Sequence, residues 1–84
     1  MSKEIVNKPT GTITLFAFDK GQGLSEHTVP YDALVIITDG TAELAVSHVK
    51  HKVQTGEMLL IPRNEPHSLK AIEQFKMLLT MIRT

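Results

Sequence analysis

The chain has 84 residues, enough for one small domain, and nine Lys and Arg balance nine Asp and Glu. With net charge zero, no basic stripe, one Tyr and three Phe, it lacks both the phosphate-neutralising surface and the stacking platform that nucleic-acid binders use. It has no Cys, so disulfides and thiolate metal sites are excluded. No apolar run approaches the roughly 20 residues needed to span a bilayer. The polar start Met1-Ser2-Lys3-Glu4 leads into no apolar h-region. A cytoplasmic protein with no membrane partner is therefore expected, formed as a single domain over residues 1–84 with its core at about 12–83.

Short apolar runs alternate with turn residues along the whole chain, a pattern of many strands. The runs are Thr12 to Phe18, Ala33 to Thr38, Ala42 to Val46, Met58 to Ile61, Ser68 to Ile72 and Phe75 to Ile82. Between them lie Asp19 to Gly23, Asp39-Gly40, Thr55-Gly56 and Pro62 to Pro66, where Gly, Asn and Asp accept positive φ and proline sets the approach. Asp39-Gly40 reads as a hairpin turn. Ser47 to Lys50 reads as a second hairpin tip before His51-Lys52-Val53. The last run is long enough for a helix but has no cap or terminator, so it is read as a strand. Eight or so strands with no intervening helix predict a closed or sandwiched all-β fold and disfavour a parallel α/β fold.

Two segments carry glycine, histidine and proline at spacings that matter. In the first, five residues separate Gly21 from His27, Val29 and Ala33 follow, and Gly40 closes the segment. In the second, Gly56 is followed by Pro62, Asn64, His67 and Ala71. These frames resemble the paired motifs of the cupin superfamily. There the first motif has His at the positions of His27 and Val29 and Glu at the position of Ala33; the second has Gly at the position of Asn64, His at His67 and Asn at Ala71. Asn64 tolerates the left-handed conformation, so the turn should survive. The resemblance covers Gly21 to Ala71 and implies a double-stranded β-helix, or jelly roll, with a ligand pocket at one mouth and frequent dimerisation.

Cupins typically hold a divalent metal with three His and one carboxylate. Alternate strand residues share a face, so His27 and Val29 should both point inward, and His67 should add an imidazole from the facing sheet. Two imidazoles alone are a poor ligand set. Glu26 should face away from His27, whereas a bulge at Pro30-Tyr31 would turn Asp32 inward to complete the shell. A full site, a weak site and no metal all remain open; the implied ions are zinc, iron, manganese or nickel. Each His has a plainer reading as a neutral ring bonded to a backbone carbonyl. The expected pocket is lined by His27, Val29, His67, Leu69 and Met77. His48 and His51 read as solvated, and Met58, Met77 and Met81 as core filler, one or two of them reaching the pocket.

No Ser, Thr or Gly pattern supports nucleophilic or phosphate chemistry. The first functional expectation is a module that binds a small organic molecule in the barrel, with a degenerate metal site. The alternative is a metal-dependent enzyme of oxygenase or isomerase type, completed by Asp32, water or substrate. A third is a structural role through dimerisation. A homodimer is expected in any case, because Thr12 to Phe18 and Phe75 to Ile82 read as apolar edge strands that need covering.

Overall fold

The computed structural model describes residues 1–83 and contains nine strands and no helix among them. β1 (Ser2–Lys8), β2 (Gly11–Phe18), β9 (Phe75–Ile82), β4 (Asp32–Asp39) and β7 (Met58–Ile61) form one sheet in that spatial order. β3 (Gly23–His27), β8 (His67–Ala71), β5 (Thr41–Val46) and β6 (Val49–Gln54) form the other. All pairings are antiparallel. The two sheets face each other as the expected jelly-roll barrel.

The alternation seen in the sequence is what closes the sheets on each other. On β4, Ala33, Val35 and Ile37 are buried while Leu34 and Ile36 lie on the opposite face. Phe18, Phe75 and Met77 complete this wall, and Ala42, Leu44, Val53, Leu69 and Ala71 meet it from the second sheet. Phe18 is stacked on Phe75 with ring centroids 5.0 Å apart. Two small residues, Ala42 and Ala71, sit opposite one another and let the sheets approach.

Four expectations need correction. Asp39-Gly40 is not a hairpin turn, because β4 pairs with β7 and β9 while β5 pairs with β6 and β8. Gly40, at φ 92°, instead steers the chain from one sheet into the other. A side chain there would meet the Gln74 carbonyl and the Phe75 backbone. The second hairpin, expected at Ser47 to Lys50, is present between β5 and β6, with Ser47 and His48 both at positive φ in a tight two-residue tip.

The strands read as edges are interior. β1 covers β2, and β9 lies between β2 and β4. β1 is mostly polar, so hydropathy did not announce it; a sheet edge needs backbone pairing more than apolar side chains. Met58 is 62% exposed and fills no core. Position 51 is half-buried and stands opposite the buried Leu44, which puts it on the inner face of β6 rather than among solvated residues.

Candidate functional site

A cavity of about 60 Å³ lies between the sheets. Its walls are almost wholly apolar: Val35, Leu44, Ile61, Leu69, Met77 and Leu79 form much of it. The polar groups bordering it are His27, His67 and Ser68. All five residues assigned to the pocket from the sequence, His27, Val29, His67, Leu69 and Met77, border this one space, as do Ala33 and Met81.

The two imidazoles do not converge from opposite sheets, as the sequence reading supposed. His27 ends β3, His67 begins β8, and they form a directly opposed pair in one antiparallel ladder. Their ring centroids are 4.4 Å apart and the planes are tilted by 59°. A register shift between Leu24 and His27 gives β3 its local irregularity just before the ring. His27 is exposed at the mouth; His67 is half-buried.

Each ring is oriented by its own strand. His27 Nδ1 lies 2.8 Å from the Ser25 carbonyl oxygen, and His67 Nδ1 lies 2.9 Å from that of Glu65. A carbonyl oxygen only accepts, so in both residues Nδ1 carries the hydrogen and donates it. In each neutral ring Nε2 therefore keeps its lone pair. Both rings thus border the apolar cavity with an Nε2 lone pair that no backbone group takes up. The same pair of contacts satisfies the plainer reading of each histidine, since both rings bond a backbone carbonyl.

The loop before His67 is held from three sides. Asn64, at φ 65°, takes the left-handed turn expected of it, and its N–H donates to the Val29 carbonyl at 2.9 Å. The Ser47 N–H donates to the Pro66 carbonyl at 2.8 Å, and the Ser47 hydroxyl donates to the Glu65 carboxylate. Asp32 Oδ1 accepts the Arg63 N–H at 2.9 Å. Asp32 does not border the cavity, so its expected role in completing a metal shell is corrected: it fixes this loop. No strand bulge at Pro30-Tyr31 turns it inward; the segment is a bend outside the strands. Glu26 also stays out of the cavity and pairs with His48 at 3.1 Å on the exterior.

A resident metal ion does not fit this donor set. Val29 and Ala33 supply no ligand atoms where the cupin motif has His and Glu, and Asp32 is committed elsewhere. Among the described residues no group of three or more His, Cys, Asp or Glu is gathered to hold an ion. Two nitrogens are half of the usual protein shell. Among the described residues no helix is long and apolar enough to cross a membrane.

A two-sheet jelly roll with a pocket between its sheets, entered past paired histidines, is a cupin barrel. The cupin domain family matches residues 14–83, and the chain belongs to that family. It is similar over its full length to a conserved protein of unknown function from Streptococcus pyogenes, at 36% identity and a TM-score of 0.96, covering 74% of that chain. A cupin 2 conserved barrel domain protein from Leptotrichia buccalis is 38% identical over 99% of this chain and 40% of its own, with a TM-score of 0.95. Protein SchB of Streptomyces halstedii is 37% identical over 51 residues, 60% of this chain. The chain spans 37% of the length of SchB.

Proposed function

We propose that this cupin domain is a binding module for a small, neutral organic molecule with an apolar body and a hydrogen-bond donor at one end. The observation that carries the reading is the pair of Nε2 acceptors of His27 and His67 above an otherwise apolar cavity. A hydroxyl or N–H placed at the mouth donates to one or both nitrogens. The rest of the molecule displaces water from Leu44, Leu69, Met77 and Leu79.

Size and charge narrow the class. At ~10–15 Å³ for each water-sized position, 60 Å³ accommodates about four to six heavy atoms in the enclosed part, with the remainder at the open mouth. Among the described residues no Lys, Arg, Asp or Glu borders the cavity. A charged group carried inside would lose its hydration without a counter-charge, at a cost of several kcal/mol or more. Small alcohols, phenols and neutral amides match; a carboxylate carried into the cavity does not.

A second reading is a metal-dependent enzyme, and the tautomers favour it to one degree: both Nε2 lone pairs are free of the backbone. With Asp32 held by Arg63, such an ion would depend on water and substrate for its remaining ligands.

Two measurements on untagged protein separate the readings. Elemental analysis of protein as purified is expected to give far less than one zinc, iron, manganese or nickel per chain. Thermal melts of chelator-treated protein with phenol, cyclohexanol and small amides are expected to rise with ligand concentration, as binding to the native state requires. Stoichiometric metal that is lost on His27→Ala or His67→Ala would reverse the choice. Metal-free protein that no neutral compound stabilises would remove the binding reading.

A further inference from the structure

Among the described residues, the non-glycine positions at positive φ are Ser47 (51°), His48 (66°) and Asn64 (65°). All three lie where the β5–β6 hairpin tip meets the loop before His67. Asn suits that conformation, whereas Ser-His forms a two-residue tip with more strain than Asn-Gly would. Such strain persists where surrounding contacts over-determine it, and it gathers at functional sites. Here the contacts of the two tip residues lead to the two imidazoles.

Strand register sets the tip beside the rings. Val46, His67 and His27 form one row across β5, β8 and β3, and Ser47 directly follows Val46. Ser47 grips the Glu65–Pro66 peptide on both sides: its N–H donates to the Pro66 carbonyl at 2.8 Å, and its hydroxyl donates to the Glu65 carboxylate. The carbonyl between those two points is the one that accepts the His67 Nδ1 hydrogen. His48 acts on the other ring. Its Nε2 lies 3.1 Å from Glu26 Oε1, and the peptide bond that Glu26 shares with Ser25 carries the carbonyl that accepts the His27 Nδ1 hydrogen.

We infer that Ser47 and His48 are positioning residues that fix the tautomers of His67 and His27 respectively, and so make the site select ligands that donate a hydrogen bond over ligands that accept one. The inference rests on the binding reading for its ligand and on the hydrogen bonds of the tip for its residues. Which ring nitrogen carries the hydrogen is set by the bond the other nitrogen makes. A ring released from its carbonyl can hold its hydrogen on Nε2, and then it presents a donor to the cavity. An alcohol loses its acceptor there, and a ketone gains a donor.

The two grips differ in strength. The Ser47 hydroxyl bonds a carboxylate, and its loss should shift the His67 tautomer ratio by about three- to tenfold. The side chains of His48 and Glu26 are 75% and 50% exposed, so losing that pair should shift the His27 ratio by only about two- to fivefold. Glycine at the tip removes both side chains without endangering the hairpin, because Gly takes positive φ freely and position 47 keeps its N–H.

Long-range nitrogen–proton spectra of the imidazoles, taken on ligand-free protein, read the tautomers directly. Ser47→Gly should raise the Nε2–H fraction of His67, and His48→Gly that of His27, each with an unchanged far-ultraviolet spectrum. Ser47→Asn suits the same φ and keeps a side-chain donor for the Glu65 carboxylate, so it should hold the His67 tautomer. In titrations, the preference for cyclohexanol over cyclohexanone should fall about threefold or more in the Ser47→Gly/His48→Gly double variant. A double variant whose rings both stay Nδ1–H would overturn the assignment and leave the tip a plain turn, as would His48→Gly acting on His67 alone. Altered tautomers with an unchanged preference would overturn the selection of donors. A wild-type chain that binds neither compound would remove the binding reading, and the spectra would still decide the role of the tip.

Discussion

His27 and His67 occupy one rung of the β3–β8 ladder, and each donates its Nδ1 hydrogen to a carbonyl two residues earlier in its own chain segment. The meeting of the two imidazoles at one cavity is therefore a consequence of strand register and of local backbone carbonyls. Nitrogen-correlated proton spectra of the neutral protein should show both rings as the Nδ1–H tautomer. Binding of a hydroxyl ligand should move the Nε2 resonances and leave the Nδ1 resonances nearly in place. An Nε2–H tautomer in either residue would remove the acceptor pair.

Val29 borders the same cavity, where a third imidazole would complete the facial set of nitrogens that two residues leave unfinished. Val29→His should raise affinity for zinc or nickel by at least about tenfold in competition titrations. An unchanged affinity would mean that position 29 does not present its side chain to His27 and His67.

Asp32 is assigned to the loop rather than to chemistry. Asp32→Ala removes the acceptor for the Arg63 N–H and should cost about 1–2 kcal/mol in urea unfolding. Asp32→Asn retains an oxygen and should cost less. Neither change should alter metal content; a loss of bound metal in both would return Asp32 to the site.

Gly40 is the point where the chain changes sheets. Gly40→Ala adds a methyl group 2.8 Å from the Phe75 Cα at φ 92°, and should destabilise by about 2 kcal/mol or more. Gly21→Ala, at φ 87° but with nothing within 4 Å, should cost only about 1 kcal/mol. Equal costs at the two positions would show that crowding by Phe75 is relieved elsewhere.

Met77 is both core and cavity wall, 2% exposed. Met77→Ala should destabilise by about 2–5 kcal/mol, whereas Met77→Leu should stay below about 1.5 kcal/mol. If the alanine variant keeps its fold, the enlarged cavity should shift ligand preference toward bulkier apolar bodies, read as the order of melting-temperature gains across a size series.

The sequence by itself determined the six apolar strands β2, β4, β5, β7, β8 and β9, and named five of the residues that border the cavity. Alternation along Ala33 to Thr38 and Ser68 to Ile72 decides which side chains share a face, and it is a local property of pleated backbone. The resemblance of the Gly21, His27, Gly56 and His67 frame to the paired cupin motifs implied a barrel with two imidazoles at one space. Tertiary structure alone decided the neighbours. That β1 would cap β2, that Asp39-Gly40 would cross between sheets, and that His27 would pair with His67 in one sheet all depend on backbone pairing between distant segments. Such pairing is set by how the whole chain packs, and it leaves no mark on the residues nearby. The same holds for Asp32, whose partner lies 31 positions away, and for Met58, whose apolar run looked buried until its face was known.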